Sequence, residues 1–373
     1  MKIVYISSST IPSRTANSIH VMKMCQAFAK SGHEVFLLTQ DRKDELEKNV
    51  PDVYAYYGVY NCFEFMKLPC RNLRIAKFIY GFLAARKAKG IKPDIVFSRD
   101  ITGALFAAKF GLPVIFEFHM SVAENSGLVP ERLFRLLIGS PGLQKMVVIT
   151  HALKDYYVSR YPQLKSMVQV APDAADPIPE HVQPAFLSNK GKRLQVGYTG
   201  HLYSGRGIEV IFELAKACRW ADFHLVGGTE KDICYWKEKL EQQANVIFHG
   251  FVPPSEAVNL CMAFDTVLAP YQQKIAITGS GGDTSRWMSP LKIFEYMAAA
   301  KPIIASDLPV LREVLTHNRN ALLCPPDNVN EWQLSLERLR DDAELRNKLG
   351  NEVYNDFLHN YTWNKRAKNL LHS

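Results

Sequence analysis

The chain has 373 residues, of which 47% are apolar and 22% charged. This composition is typical of a globular protein and excludes a disordered or collagen-like chain. No apolar run approaches the roughly 20 residues of a membrane-spanning helix, and the first residues, MKIVYISSS, lead directly into a predicted strand rather than a secretory leader. The seven cysteines are scattered and never spaced as C-x-x-C, which predicts reduced thiols and a cytoplasmic protein.

The net charge of +8 is concentrated in the first half of the chain. Residues 1–175 contain 23 Lys and Arg against 14 Asp and Glu, whereas the remainder contains 22 against 23. Within this half, residues 67–92 place basic side chains among Phe, Tyr, Ile and Leu. The segment fits a helix on an anionic membrane surface or an entrance for a phosphorylated substrate, with a solvated face as the equally weighted alternative. No nucleic-acid-binding motif is present, so we expect no nucleic-acid partner.

Short apolar strands alternate with helical segments along the chain. The predicted strands of the first half are KIVYIS, HEVFLLT, DIVFS, PVIFEFH and MVVIT, and those of the second half are LQVGYTG, DFHLVGG, NVIFHG, DTVLAP and PIIAS. Repeated β–α units predict a parallel sheet covered by helices, here formed twice. Ligands bind outside the carboxyl ends of such strands, so functional residues are expected there.

The two sets of strands are separated by a segment rich in Pro and polar residues. This segment predicts a linker over residues 176–190. The first doubly wound domain is then expected over residues 1–175, and the second over residues 191–354.

The stretch SPLKIFEYMAAAKPIIAS combines a helix start, a helix and a buried strand. Ser289 predicts an N-cap and Pro290 a first helical residue, so we expect a helix over Leu291 to Ala300. Lys292 then lies in the first turn, where the helix macrodipole disfavours a cation. An anion bound at the helix start would reverse that disadvantage.

Two strand ends of the second domain point to the same anion. After LQVGYTG, a Gly-rich turn brings Arg206 to a helix start, and after DTVLAP a loop leads to the helix with Lys292 and Glu295. Two helix starts with two basic side chains suit a diphosphate, and Glu295 is placed to accept hydrogen bonds from ribose hydroxyls. On its own, the Lys-x-x-Glu spacing is more typical of a surface pair, but together these residues predict a nucleotide diphosphate site.

The motifs GYTGHLYSGRG, FHLVGG and SPLKIFEYMAAAKPIIASDLPVLREVL resemble the donor domain of the retaining family 4 glycosyltransferases. The segments RTANSIHVMKMCQAFAKSGHEVFLLT and PVIFEFH extend this resemblance to the first half of the chain. It implies an α/β, GT-B fold of two doubly wound Rossmann-like domains facing across a cleft. It also implies that a final helix, at about residues 355–373, packs back onto the first domain.

The resemblance assigns roles to individual residues. Arg206 corresponds to the basic residue on the donor diphosphate, Glu295 to the glutamate that binds the ribose, and His119 to the histidine beside the transferred sugar. Asn17 and Ser18 lie in the loop that closes over the donor. The other residues of the predicted donor-binding set, which adjoin the same strand and helix ends, are Gly200, Ser289 and Leu291.

The sequence departs from the commoner family pattern at three places. The first glutamate of the E-x7-E motif is Trp287, and the Gly-Gly of the N-terminal loop is Ala16-Asn17. The basic residue that often follows the first donor-domain strand is His201, which assigns the second positive charge to Lys292. Together with SPLK, these changes resemble a subgroup of the family.

Glu117 and His119 are two residues apart on one face of a predicted strand. Glu117 is expected to orient His119, whose other ring nitrogen would donate to the sugar, with a structural histidine as the alternative on spacing alone. The resemblance implies retaining transfer of a sugar, from a UDP-sugar by family frequency, to an acceptor hydroxyl. The chain contains no D-x-D motif, so we expect no cofactor and no metal, with catalytic Arg206 and Lys292 stabilising the leaving diphosphate.

The predicted pathway is the synthesis of surface polysaccharide, lipopolysaccharide or glycolipid. The acceptor would be a glycan or a lipid-linked sugar, with the enzyme held at the inner face of the membrane by residues 67–92. Two other functions remain open: a non-catalytic subunit that binds a nucleotide sugar or a partner enzyme, and a sugar-nucleotide epimerase. Trp287, in place of the first motif glutamate, favours the non-catalytic alternative.

Overall fold

A computed structural model describes residues 1–42, 46–70, 76–122, 128–240, 243–276 and 283–372. The chain divides into two compact units. The first comprises Met1–Asp173 and Trp363–Ser373, and the second comprises Ala174–Thr362. The chain therefore passes between the units twice.

The first unit is built on a parallel sheet whose described strands have the order β3-β2-β1-β4-β5-β6-β7. These strands are β1 (Lys2–Thr10), β2 (Glu34–Asp41), β3 (Glu64–Pro69), β4 (Ile95–Ser98), β5 (Val114–Phe118), β6 (Leu143–Val148) and β7 (Val168–Val170). The helices between them are α1 (Ala16–Lys30), α2 (Val53–Tyr56), α3 (Ala76–Ile91), α4 (Ile101–Lys109), α5 (Leu128–Ile138) and α6 (His151–Arg160), followed by a 3-10 turn at Pro162–Leu164.

The second unit repeats this plan, with described strands in the order β10-β9-β8-β11-β12-β13, again all parallel. These strands are β8 (Leu194–Thr199), β9 (Ala221–Val226), β10 (Val246–Gly250), β11 (Thr266–Ala269), β12 (Ile303–Ser306) and β13 (Leu322–Cys324). The helices are α7 (Ile208–Ala217), α8 (Glu230–Lys239), α9 (Pro254–Ala263), α10 (Leu291–Ala298), α11 (Val329–Asp341) and α12 (Ala343–Asn360). In both sheets buried apolar strands form the core, as expected for sheets covered by helices.

The last helix, α13 (Trp363–His372), belongs to the first unit and packs against α1. The sequence predicted one helix from about residue 355, but α12 continues to Asn360 and α13 starts anew at Trp363. Between them, Thr362 pairs with Ala175 in an isolated β-bridge, which interrupts the helix.

The predicted linker, residues 176–190, lies wholly within the second unit. It packs there through particular contacts: the backbone N–H of Ala185 donates to the carbonyl of Asn259, and Leu187 is buried. Pro and polar residues in this stretch therefore form a packed connection rather than a free tether.

The ten predicted strands are all present, and the pattern missed β3, β7 and β13. Each of the three lies at the edge of its sheet. Strand β3 is half exposed, and the other two have only three residues each. Strand β3 mixes apolar and charged residues, and β7 and β13 are too short for hydrophobic patterning to reveal them.

Helix α10 starts where predicted but is not capped as predicted. Its N-cap is Pro290, and no side chain caps it among the described residues. Ser289 stands one position too early for the cap, because Pro290 keeps extended φ and ψ angles of −77° and 123°. The helix ends at Ala298, and Ala300, predicted to be helical, has a φ of +52°.

The strand order reverses between β1 and β4 in the first sheet and between β8 and β11 in the second. Ligands bind outside the carboxyl ends of the strands at such switch points. Within the described ranges, no helix is both long and apolar enough to cross a membrane.

Candidate functional site

The second unit brings two predicted basic residues to the end of β8. Arg206 follows β8 and precedes α7, while Lys292 is the second residue of α10. Gly200, at the end of β8, has a φ of +127°, and a Cβ there would lie 3.1 Å from Lys292 Nζ. The Lys292 ammonium group therefore lies against backbone that only glycine forms readily.

Lys292 is a buried basic residue that forms no ion pair with a described carboxylate, although the charge of Glu295 opposes the lowering of its pKa. The residue is 8% exposed, and its Nζ makes no hydrogen bond with any described residue. Nζ lies 3.5 Å from the centroid of the Tyr198 ring and 5.2 Å from that of Tyr271. Burial, followed by the neighbouring Arg206 cation, lowers the pKa of Lys292 well below its usual range. The described contacts of the ammonium group are thus ring faces, which stabilise a cation less well than a carboxylate would.

Arg206 shares this environment. Its Cζ lies 5.4 Å from the Tyr271 ring centroid, so both cations lie beside one ring. Its Nε is buried and makes no hydrogen bond in the described chain. Burial raises the pKa of Tyr271, and the positive charge of Arg206 opposes that rise. Two like charges in one buried region repel each other unless an anion lies between them.

The starts of α7 and α10 add to the positive potential. Helix α7 begins after Gly207, which is left-handed with a φ of +78°, and α10 begins after Pro290. Neither start receives a hydrogen bond from a capping side chain in the part of the chain described. Their first N–H groups and dipole ends are therefore oriented to bind an anion.

The other predicted donor-binding residues surround the start of α10. Glu295 is exposed one turn beyond the buried Lys292, while Ser289 is buried and Leu291 half-buried. Trp287, which replaces the first motif glutamate, is 3% exposed, and the Arg286 guanidinium lies 4.6 Å from its ring centroid. That position therefore contributes a buried ring in place of a carboxylate.

In the first unit, Glu117 and His119 are in contact as predicted. His119 Nε2 lies 2.5 Å from Glu117 Oε1. Burial, with help from Arg99, lowers the pKa of His119 to about 4. Burial alone would raise the pKa of Glu117, but Arg366 and His20 hold it well below its usual range. His119 is therefore neutral near pH 7 and donates its one N–H to the carboxylate.

This protonation state corrects the expected role of His119. The sequence suggested that the other ring nitrogen donates to a sugar. Because the single proton of the neutral ring is on Nε2, Nδ1 carries a lone pair and can only accept a hydrogen bond. A hydroxyl group is the partner that this nitrogen suits.

Three residues that the sequence pattern did not single out surround Glu117. Arg366 Nη2 lies 3.0 Å from Glu117 Oε1, and His20 Nε2 lies 3.0 Å from the same oxygen. His20 Nδ1 lies 2.7 Å from Asp173 Oδ1. We call these five residues, His20, Glu117, His119, Asp173 and Arg366, the Glu117 cluster. Arg366 is 249 residues from Glu117 in the chain, so no local spacing could have revealed the contact.

The Glu117 cluster includes a set of side chains that could in principle ligate a metal. The candidate ligand atoms of His20, Glu117 and His119 lie within 4.8 Å of one another. Arg366 donates to both oxygens of Glu117 and already neutralises it. A divalent ion at this place would lie beside a fixed guanidinium, so the cluster fits an ion-pair network better than a metal centre.

Asn17 and Ser18 lie at the start of α1 and have different surroundings. Ser18 is completely buried, and its hydroxyl contacts the carbonyls of Ser13 and Thr15 at 3.0 and 2.8 Å. It shapes the loop from inside instead of facing outward. Asn17 Nδ2 donates to Ser9 Oγ at 2.6 Å, while its Oδ1 is buried and makes no hydrogen bond within the described residues.

Solved structures share this fold across the whole chain. The Anabaena protein Alr3699/HepE, in complex with UDP, superposes with a TM-score of 0.72 at 13% identity, covering 99% of this chain and 98% of that one. Sucrose-phosphate synthase from Thermosynechococcus elongatus gives 0.73 at 16% identity, covering 99% and 97%. At these identities the agreement shows a common fold, the two-sheet GT-B architecture.

Two family models match the chain in succession. The model of Glycosyltransferase Family 4 matches residues 18–177, and that of Glycosyl transferases group 1 matches residues 181–356. The chain belongs to the GT-B glycosyltransferases. A curated relative, the uncharacterized glycosyltransferase MJ1607 of Methanocaldococcus jannaschii, is 25% identical over 142 residues, or 38% of this chain. That match spans 32% of the relative's own length.

Replacing Lys292 with Met should stabilise the ligand-free glycosyltransferase. Met has a similar volume and no charge, so the variant loses the cost of an unpaired buried cation, about 1–3 kcal/mol. Unfolding of the second unit in urea measures the change. Lys301, whose Nζ donates to the Met262 carbonyl at 2.7 Å, is the matched control. Lys301→Met should be destabilising, and equal effects of the two substitutions would contradict the assignment.

The neutral state of His119 should make the first unit acid-sensitive. The folded pKa of about 4 lies below the ordinary 6.5, so the unfolded chain binds the proton first as the pH falls. The contribution of His119 is complete above pH 6.5 and declines by up to about 3 kcal/mol towards pH 4. The free energy of unfolding in urea, measured at pH 7 and pH 4.5, should lack this decline in His119→Gln.

A histidine of the second unit provides the control for this measurement. Burial lowers the pKa of His224 to about 4 as well. His224→Gln should therefore reduce the acid sensitivity of the second unit and leave that of the first unchanged. An unchanged pH dependence in His119→Gln would mean that His119 is charged in the folded protein.

Proposed function

We propose that the chain transfers a sugar from a UDP-sugar to an acceptor hydroxyl, with retention at the anomeric carbon. The products would belong to surface polysaccharide, lipopolysaccharide or glycolipid synthesis. Family membership supports a transferase. Two fold relatives support the donor and the pathway class: HepE is in complex with UDP-glucose, and WaaB is a lipopolysaccharide outer core galactosyltransferase.

The observation that carries the proposal is the pair of basic residues at the end of β8, buried Lys292 and half-buried Arg206. Lys292 and Arg206 each have a buried nitrogen without a hydrogen-bond partner among the described residues. The uncapped starts of α7 and α10 are close in the chain to these side chains. A diphosphate supplies two negative groups with many acceptor oxygens, so it satisfies all four features at once.

These groups also provide the chemistry of leaving-group departure. Breaking the bond from the anomeric carbon to the diphosphate oxygen builds negative charge on the diphosphate. Arg206 and Lys292 are held in place before the reaction. They stabilise the transition state, in which this charge develops, more than they stabilise the bound donor. The cations perform the neutralising role that a divalent ion could otherwise have. We therefore expect turnover to be unchanged by EDTA.

His119 acts on the sugar rather than on the nucleotide. Its Nδ1 would accept a hydrogen bond from a sugar hydroxyl, while Glu117 and Arg366 fix the ring from behind. Because the ring is neutral, it adds no charge that would disfavour a sugar cation in the transition state. Exposed Glu295 would accept hydrogen bonds from the ribose.

Nucleotide binding should separate the residues of the two units. UDP should raise the melting temperature of the parent protein, because a ligand that binds only the folded state stabilises it. Arg206→Gln and Lys292→Met should remove most of this shift, and Glu295→Gln should reduce it. His119→Ala should retain the shift but lower turnover. In an acceptor-supplemented UDP-release assay, Arg206→Gln should lose about 2–4 kcal/mol of transition-state stabilisation.

Two results would contradict this assignment. One is a normal UDP-induced shift in both Arg206→Gln and Lys292→Met. The other is a loss of nucleotide affinity in His119→Ala equal to that in Glu295→Gln. UDP binding without release from any UDP-sugar, in the presence of lipid and glycan extracts, would instead indicate a non-catalytic binding subunit.

We further propose that helix α3 attaches the protein to an anionic membrane. The buried face of α3 consists largely of small residues, Gly81, Ala84, Ala85 and Ala88, which allow close packing against α4. Its larger apolar residues are instead exposed: Phe78, Ile79 and Phe82 are 37%, 41% and 40% accessible. Exposed aromatic and aliphatic side chains among lysines and arginines suit a lipid headgroup region. Of the basic residues predicted for this role, Arg71 and Arg74 lie outside the described residues.

Charge reversal on α3 should abolish vesicle binding. Lys77, Arg86 and Lys87 are exposed on this helix. Each basic residue near an anionic surface contributes about 1 kcal/mol, so the triple change to Glu should prevent sedimentation with phosphatidylserine vesicles at low salt. Nucleotide binding should be unaffected.

A matched variant changes the same amount of charge in the second unit. Its positions are Lys192, Lys216 and Lys231, all exposed. This variant should sediment like the parent protein. If both triple variants still bind, or if the parent protein does not, α3 is an ordinary solvated helix.

A further inference from the structure

Arg99 lies at the switch point of the first sheet, immediately after β4. Sheet register pairs Tyr5 of β1 with Phe97 of β4, and their ring centroids lie 5.1 Å apart. Parallel strands in register turn paired residues to the same face, and alternate residues share that face. Two residues further on, the same row therefore contains Ser7, Arg99 and Glu117. Helix α1 covers this face through His20, which contacts Glu117, and Phe28, which contacts Phe97.

The guanidinium of Arg99 has a buried nitrogen without a partner. Its Nη1 is shielded from solvent and makes no hydrogen bond with any described residue. Arg366 in the same unit shows the ordinary pattern: its guanidinium donates to Glu117 and to the carbonyls of Ala171 and Pro172. Buried charged donors in proteins are nearly always hydrogen-bonded. Arg99 therefore differs from its neighbour in a way that packing alone does not explain.

No described carboxylate at these strand ends is available to Arg99. Glu117 and Asp173 are already paired within the Glu117 cluster. Asp100, the next residue, is the N-cap of α4 and accepts from the Gly103 N–H at 2.6 Å and from Thr102 Oγ1 at 2.6 Å. Among the described residues, therefore, no carboxylate pairs with the buried Nη1 of Arg99, and an anionic ligand would complement it.

Uncharged polar groups lie on β1, at the start of α1 and after β5 of the same unit. Ser7 Oγ donates to Ser9 Oγ at 2.8 Å, and Ser9 Oγ also accepts from Asn17, whose Oδ1 is buried without a partner among the described residues. His119 presents an uncharged ring, and the charge of Arg99 contributes to lowering its pKa. One cation is thus accompanied by neutral groups that pair with hydroxyls. The excess of basic residues over residues 1–175 points in the same direction.

We propose that Arg99 binds an anionic group, a carboxylate or a phosphate, on the acceptor sugar. This inference rests on the proposed function, in which Arg206 and Lys292 of the second unit hold the donor diphosphate and the first unit receives the acceptor. Arg99 then selects acidic acceptors and fixes their position on the first unit. The two sources of the anion are a uronic acid and a sugar phosphate.

Binding of matched small sugars to the full-length protein tests the proposal. The protein is first saturated with UDP, so that anions cannot occupy the diphosphate site. Methyl β-glucuronide, methyl β-glucoside, glucose 6-phosphate and glucose are then titrated by calorimetry or ligand-observed NMR. At least one acidic sugar should bind tenfold or more tightly than its neutral counterpart, the usual effect of one charged hydrogen bond. The acidic sugar that shows this preference identifies the carboxylate or the phosphate as the natural group.

Three variants make the result specific. Arg99→Gln should remove the preference for the acidic sugar, Arg99→Lys should keep part of it, and Arg132→Gln, which removes an exposed charge from the same unit, should leave it unchanged. All three should retain the UDP-induced thermal shift. Equal binding of acidic and neutral sugars, or a preference that survives in Arg99→Gln, would overturn the proposal. If the parent protein does not bind UDP, the proposed function itself is refuted.

Discussion

The uncompensated charge of Lys292 is the constraint on which the account of this protein depends. An ammonium group that is buried and makes no hydrogen bond within the described chain reduces the stability of the free protein. The fold holds it at the end of β8 by a glycine with a positive φ, a helix start without a side-chain cap, and two tyrosine rings. None of these features carries the negative charge that would neutralise the ammonium group. The second unit is therefore preorganised for an anion.

The first unit treats its buried charges differently. Glu117 is paired with Arg366 and both histidines, and His20 lies between two carboxylates. The result is a rigid polar network that fixes the ring of His119. Arg366 enters the network from α13, the helix that follows the second passage of the chain between the units. The return of the C-terminal helix thus has a chemical consequence as well as a structural one, because it supplies the cation that keeps Glu117 ionised.

Local patterns in the sequence predicted the parts of the site that depend on local structure. Arg206 and Lys292 are each next to a strand end or a helix start, and Glu117 and His119 share a strand face by alternation. Of the Glu117 cluster, only Glu117 and His119 could be predicted from the sequence. His20 and Arg366 contact Glu117, and Asp173 contacts His20, only through tertiary packing. The protonation of His119 is hidden from the sequence for a related reason: it depends on burial and on Arg99, which spacing does not reveal. The sequence pattern missed the edge strands because they are short or half exposed. It misplaced the N-cap of α10 because the cap depends on the backbone angles of Pro290.

Proton uptake on donor binding tests the central claim most directly. Between pH 7 and 8 neither the diphosphate diester nor the uracil ring of UDP-glucose titrates, so any proton taken up in this range must bind to the protein. If Lys292 has a strongly lowered pKa when free, an anion at its side should raise that pKa, and the complex should take up protons. Calorimetric titration in buffers of different ionisation enthalpy measures this number. We predict proton uptake that disappears in Lys292→Met, whereas tight binding of UDP-glucose without proton uptake would contradict the account.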